Sequence, residues 1–530
     1  MDYYHELIQK IGHHERYKTI LGAAVASVTT IYLLKRVISG MSKKKPVEFK
    51  GIPVPKGEYF YLGHAPLLGK RPGEVITKWH QEYGPIIRIK MGVQNWLLLG
   101  DPQVAHEILV SKGLVTAGRP EHTFLGKIHG KGGSLRGVVM VDYGEKWKDA
   151  RNALLHILSP KSVDSLSSII EREAEKGVKY IVELAKSDGA INPLDFSRFI
   201  AMNLMFSVAF NIPGTESFDD PTFKEMLHFV ERNAHFIDLS NDASVMFPIM
   251  KLPEALFGKE KKMKRYVDDE YFPFMRRIIK RARESDGDSL VKKVDSIKNE
   301  HRIDEIGVTV LMSEILSAGS DTVALSMTWS IALLCNYPDV QEKIYQEIKT
   351  FIKEHGRHPT FADREAMPYF IAFQKECVRY RPGMDLGMPH KATEDFLYKD
   401  SLIPKGTILV SNLHTLHSDP NNFADADKFM PERYLNDTRS MYAASKGNYQ
   451  TRDHYTFGWG RRICPGIYMA EGEMFYTITK LISRCIIKPE LSSTGEELYP
   501  DLQCGINTGI SITPVPFKIR LIKRDIDNNN

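Results

Sequence analysis

The stretch "SEILSAGSDTVALSMTWSIALL", inside residues 303–336, limits the fold more than any other part of this 530-residue chain. It is apolar nearly all round, and a helix without a polar face has to be enclosed on every side. The pattern predicts a helix from Ile303 to about Asn336, ended by Tyr337-Pro338. Its middle holds Gly319, Ser320, Asp321 and Thr322, an odd group for such a setting. On one reading Ser320 or Asp321 caps a new helix start. On the other the helix is distorted at Gly319, and Thr322 and Asp321 present a hydroxyl and a carboxylate able to relay protons into a dry pocket.

The rest of the chain can supply the enclosure. Further helices are expected at 143–158, 163–187, 193–210, 339–354, 367–380 and 466–485, with another opening at Asp219, Asp220 and Pro221. Strands are expected at Ile86–Met91 and Asn95–Leu99 as a hairpin, near 387–399 and 407–412, and near 505–523. The fold class is therefore mainly α with a small β portion. No low-complexity break interrupts residues 65–524, which read as one large domain, and 525–530 form a polar tail. A net charge of +5 is too mild for nucleic acid and suits a membrane surface or an acidic protein partner.

Residues 1–18 are a short N-terminal segment and 19–41 a single membrane anchor. Thr19 to Leu34 carries no charge, and Lys35, Arg36 and Lys43–Lys45 follow it. Basic residues after the apolar run argue for an uncleaved anchor rather than a signal peptide, with the body on the cytosolic side. Residues 42–64, with Pro53 and Pro55, read as a stiff linker. The segment 247–264, within "FPIMKLPEALFGKEKKMKR", reads either as a solvated turn or as a tip dipping into the bilayer.

The five cysteines are scattered and show no paired spacing, which excludes a disulfide framework. One of them, Cys464, sits in "FGWGRRICPG", residues 457–466. Arg462, the glycine-rich amides and the following helix end would lower a thiol pKa there. No second cysteine or histidine lies within six residues, so zinc is disfavoured and a lone axial thiolate on haem fits. Glu376 and Arg379 share a helix face, and with Arg433 they could form a buried triad that fixes the fold. Trp147 and Arg151, four apart, could hold a buried anion.

"FGWGRRICPG" resembles the cysteine-loop signature of cytochrome P450, with every fixed position present. Ala470 and Glu473 continue that pattern, "AGSDT" is similar to the family's oxygen-activating helix motif, and "ECVR", "PERY" and "WKDAR" resemble three further elements in the same order. The resemblance implies the cytochrome P450 fold with haem b (iron protoporphyrin IX) and Cys464 as its axial ligand. Phe457 would pack on the cysteine loop, and Gly460 and Gly466 would allow close approach. Arg462, Trp147 and Arg151 would hold the propionates, joined by His390 of "PHKATED" and by Arg136. Ala318 and Gly319 would border the haem, and Thr322 and Asp321 would be catalytic.

The resemblance further implies a monooxygenase using O2 and NADPH-derived electrons, delivered by a separate NADPH–cytochrome P450 reductase, with cytochrome b5 as a second candidate donor. The anchor is similar to that of microsomal, somewhat fungal-looking members, which implies the endoplasmic reticulum membrane, single-pass, with the catalytic domain facing the cytosol. By family position the substrate pocket draws on Phe124, Phe236, Met246, Leu316, Met384, Leu386, Met388 and Ile510, an apolar set that suits a lipophilic small molecule. Two alternatives stand beside this reading: a peroxide isomerase or dehydratase needing no reductase, and a non-catalytic, membrane-tethered haem-binding protein.

Overall fold

The apolar helix runs unbroken from Glu305 to Asn336 in the computed structural model, which describes residues 47–130, 136–238 and 242–524. The Asp304 side chain starts it by accepting from the Gly307 amide at 2.7 Å, and Pro338 begins a separate helix after it. The helix is long and apolar enough to cross a bilayer, yet most of its length is buried in protein. There is neither a new start at Ser320 nor a distortion at Gly319. The glycine serves a helix crossing instead: a Cβ there would lie 2.5 Å from the Met205 sulfur on the Pro193–Phe210 helix.

That second helix is buried on nearly all sides too, and the two form the centre of the core. Ser167–Asp188 and Ile467–Arg484 pack around them, and Pro368–Tyr380 lies against the far side of the central helix. Around this body sits a four-stranded sheet ordered Ile86–Met91, Gln94–Leu99, Ile408–Ser411, His390–Lys391. The first pair is the expected hairpin, in the register Ile86 opposite Leu99. The third strand joins it in parallel, Leu97 opposite Leu409, and carries His390 on its outer neighbour. Small sheets formed by Cys485–Leu491, Gly505–Asn507, Ile512–Pro514 and Ile519–Lys523 with their neighbours close the chain. The fold class is the mainly helical one expected.

The anchor, the linker up to residue 46 and the 525–530 tail lie outside the described residues. The described part of the linker is docked. The Phe49 side chain is buried, its amide donates to Leu402 O at 3.0 Å, and Arg88 stacks over its ring. His64 is buried as well and bonds Pro55 O at 3.0 Å. Proline supplies no amide donor, so this segment combines a few internal bonds, such as those between Tyr59 and Gly63, with an acceptor and a guanidinium supplied by the sheets.

The expected triad forms. Arg379 donates from Nε and an Nη to the two Glu376 oxygens, each at 2.7 Å, in the bidentate arrangement that planar guanidinium favours. Its other hydrogens reach the carbonyls of His417, Ala426 and Lys428. Arg433 Nε lies 3.0 Å from Glu376 Oε2, near enough for charge attraction but not aligned as a hydrogen bond. Its Nη atoms donate to the carbonyls of Ala424 and Asp425 instead.

Candidate active site

The loop that carries Cys464 begins with glycines the backbone requires. Gly458 and Gly460 have φ of +81° and +52°, and a Cβ at Gly460 would sit 2.6 Å from Leu109 O. Gly460 thus gives close approach to a neighbouring backbone, a packing need beside the cofactor approach that the resemblance implies. Gly466 is different: the nearest atom to a Cβ there is Cys464 Sγ at 3.9 Å, so its surface is open on the thiol side. The Cys464 amide donates to Phe457 O at 2.9 Å, closing the loop. Phe457 and Cys464 join a small apolar cluster around Val378, Met441 and Ile467.

Burial pushes the Cys464 thiol up, while the Gly466 amide and the Arg151 guanidinium pull it down. The cation that acts on the sulfur is therefore Arg151, not Arg462. Arg462 turns away and donates to three carbonyls, Ala117 at 2.8 Å, Val138 at 3.0 Å and Val141 at 2.7 Å. Its guanidinium lies 4.2 Å from the Trp147 ring centre, and Trp147 Nε1 donates to Val138 O at 3.1 Å. Arg151 donates to Ile463 O.

A third arginine, absent from the sequence reading, completes this group. Arg119 is buried and donates to Val139 O, Met388 O and Pro389 O. Burial lowers all three, and repulsion from the neighbouring arginines adds to it for Arg119, lowered to about 10, and Arg462, lowered to about 8. None of the three forms a salt bridge with a carboxylate among the described residues. The carboxylates in range are Asp142, paired to Lys391 at 2.8 Å, and Glu314 on the central helix. A buried group with this much unneutralised charge is costly unless an anion joins it. The donor set suits the two carboxylates of a haem, so the residues present fit that group.

Arg136, expected here, is elsewhere: its guanidinium clamps Asp304 at the start of the central helix, Nε to Oδ1 at 2.8 Å. The preceding glycine-rich segment left its distance from the loop open to misreading. His390 does lie in the group, with Nδ1 3.0 Å from Thr116 O. Burial and the nearby Arg119 hold it well below its ordinary value. A neutral ring that donates from Nδ1 has only an acceptor at Nε2, so it would need a second proton to donate to an anion.

On the central helix Ala318 and Thr322 are exposed while the positions around them are mostly buried, so one narrow stripe fronts open space. Thr322 Oγ1 donates to Ala318 O at 2.6 Å. Asp321 does not enter a dry pocket. It is partly exposed and accepts from Arg198 Nε and Nη2 at 3.3 and 3.2 Å, tying the central helix to its buried neighbour. One turn before Ala318, Glu314 accepts from the Val138 amide at 2.8 Å, and burial pushes its carboxyl up to about 7. It is the one carboxylate between Glu305 and Asp321, a signal visible in the sequence.

The expected pocket residues divide. Met384, Leu386, Met388 and Ile510 line a mainly apolar cavity of about 60 Å³, with His122, Asp385 and Asn507 among its polar walls. Phe124 and Phe236 pack with tilted rings in an aromatic cluster with Tyr266, and Leu316 is core. Met246 meets the first hairpin, its carbonyl accepting from Val93 N at 3.0 Å. Large side chains that read as pocket lining from sequence are here consumed by helix and hairpin packing.

A mainly helical body holding a lone loop cysteine beside buried, unneutralised arginines defines a cofactor-binding protein with thiolate ligation on offer. The chain belongs to the cytochrome P450 family: residues 53–519 match the family's model, described as Cytochrome P450. Among curated relatives, cytochrome P450 monooxygenase verH of Penicillium polonicum is 28% identical over 476 residues, covering 85% of this chain and 84% of that protein. Cytochrome P450 monooxygenase patH of Aspergillus clavatus is 31% identical over 426 residues, covering 77% of each. A zebra fish cytochrome P450 solved with progesterone superposes with a TM-score of 0.71 at 22% identity, covering 85% of this chain and 99% of that one. That likeness speaks to the fold. The protein is an enzyme of the cytochrome P450 monooxygenase class.

Proposed function

We propose that this chain is a haem-thiolate monooxygenase, tethered to the endoplasmic reticulum membrane, that hydroxylates or epoxidises a lipophilic small molecule. Its electrons would come from NADPH through a separate reductase. The observation that carries this reading is the buried arginine group beside Cys464, which lacks a carboxylate partner of its own. Cys464 would ligate the iron, and Arg119, Arg151 and Arg462 would hold the propionates with Trp147 and His390 beside them. When bound, the haem supplies the redox centre for oxygen activation.

The protein's own part is to orient, to exclude water and to hold protons. Thr322 Oγ1 is the hydroxyl on the exposed stripe and can exchange its bond to Ala318 O for one to a bound reactant. Asp321, held by Arg198, is a charged group at the outer end of that step. The mainly apolar walls near Met384, Leu386, Met388 and Ile510 favour a lipophilic substrate. In a system reconstituted with NADPH and a reductase, Thr322→Ala should cut product formed per O2 consumed by at least about tenfold, a modest share of the roughly 10²–10⁴ that positioned proton transfer contributes. Unchanged coupling would remove Thr322 from the mechanism. Rearrangement or dehydration of an organic peroxide itself, with neither NADPH nor a reductase, would instead select the isomerase or dehydratase reading.

Membrane contact is supported by one exposed apolar surface. Leu252, Leu256 and Phe257 stand out in water on the short helices after Pro248, Leu256 with 76% of its area exposed. Tyr61 ties the N-terminal segment to this tip through Ile249 N at 3.2 Å, and it brings exposed Tyr59, Phe60 and Leu62 alongside. Exposed Val93 of the first hairpin joins them through Met246 O. Burying each large side chain contributes roughly 1.5–3 kcal/mol, and the following Lys259–Arg265 helix can meet anionic headgroups. A Phe257→Trp chain in nanodiscs should be quenched by brominated lipid tails, whereas emission typical of water would place the tip in solvent.

A further inference from the structure

The backbone of Val138 is gripped at both its N–H and its C=O. Its N–H donates to Glu314 Oε2 at 2.8 Å, and the next amide, Val139, reaches Oε1 at a long 3.4 Å. Its carbonyl accepts from Trp147 Nε1 at 3.1 Å and from Arg462 Nη1 at 3.0 Å. The backbone of one residue therefore connects the central helix to two side chains of the cradle. Gly137 has φ +96°, and a Cβ there would fall 2.5 Å from Glu314 Oε1. The carboxylate thus occupies the space that this glycine leaves free, and it supplies the acceptor for a buried amide that would otherwise be orphaned.

We propose that Glu314 is a positioning residue: it fixes the 137–139 segment against the central helix and, through the Val138 carbonyl, sets Arg462 and Trp147 for an anionic cofactor. This inference rests on the reading of Arg462 as a group that faces the haem carboxylates, with the Trp147 ring packed beside it. Glu314 touches neither the cofactor nor a reacting atom in this role. What it supplies is acceptor oxygen at a fixed place, so glutamine should substitute for it and an apolar residue should not.

The test is haem transfer from the purified holoenzyme to excess apomyoglobin, with folding followed by far-UV circular dichroism. Glu314→Leu should speed haem loss by about tenfold or more, the scale of leaving a buried amide without its acceptor, while Glu314→Gln stays within about threefold of the native chain. Gly137→Ala should also speed loss. Combined with Glu314→Ala it should cost less than the product of the single effects, because removing the carboxylate makes room for the methyl group. Native-like retention in Glu314→Leu, a glutamine variant as poor as leucine, or independent effects at 137 and 314 would each overturn the inference. If Glu314→Leu fails to fold, the glutamine variant and the 137/314 cycle decide. Arg462→Ala separates the two levels. Unchanged retention there rejects the reading of Arg462 and the inference built on it, whereas loss there with no effect at Glu314 rejects the positioning role alone.

Discussion

Replacing Cys464 with serine should abolish the red-shifted Soret band of the reduced, CO-bound protein and reduce NADPH-dependent turnover to background. Serine keeps the volume and the amide bond from residue 464 to Phe457 O, so the loop between Gly458 and Gly466 should close as before. What changes is the electron donor: an alcohol side chain does not ionise where a metal-bound thiol does. The effect should therefore be electronic, with haem still present and the band moved toward the position of an oxygen- or nitrogen-ligated haem. A variant that retained the thiolate-type band would place the ligand elsewhere and overturn the assignment. Among the described residues the other cysteines are poor substitutes. Cys377 is buried, with its thiol pushed well up, and Cys504 is exposed.

Glu376→Ala should destabilise the protein by about 3–5 kcal/mol, the cost of leaving a buried cation without its partner. Both side chains are essentially inaccessible, 0% exposed for Glu376 and 1% for Arg379, so water cannot replace the lost carboxylate. Against a total stability of roughly 5–15 kcal/mol, such a loss removes from about a fifth to the whole of the folding margin. Removing both charges, as in Glu376→Leu with Arg379→Met, should not restore it. Arg379 also satisfies the carbonyls of His417, Ala426 and Lys428, and Glu376 accepts the Met430 amide at 2.8 Å. A denaturant midpoint equivalent to less than about 1 kcal/mol of change in the single variant would show that the pair is ornamental. Both predictions concern residues read from the sequence, one acting on the cofactor and the other on the chain.

Legibility followed the distance over which each residue acts. The first hairpin and the Pro193–Phe210 and Pro368–Tyr380 helices were visible because apolar periodicity and proline starts are local properties. Glu376 and Arg379, three apart on one helix, were equally visible. Arg119 was not, since its acceptors at 388 and 389 come from a distant sheet edge, and nothing around "AGRPEH" announces them. Arg136 was misplaced because its partner, Asp304, belongs to a different helix start. Gly319 suggests a distortion in an apolar helix, whereas the helix is regular there and the glycine answers to a sulfur on another helix. The pocket was half legible: Met384, Leu386, Met388 and Ile510 lie together, but side chains such as Phe124 and Leu316 satisfy the same apolar pattern by packing in the core.

The Gly319–Met205 crossing also governs how this sequence can drift. A Cβ at 319 and the sulfur at 205 claim the same space, so a methyl group at 319 displaces the Met205 side chain. Methionine is flexible, so a glycine-to-alanine step is open where that thioether can swing aside, whereas shortening 205 leaves a void beside the helix that carries Thr322. The two codons are therefore coupled: what one position tolerates depends on the side chain held at the other.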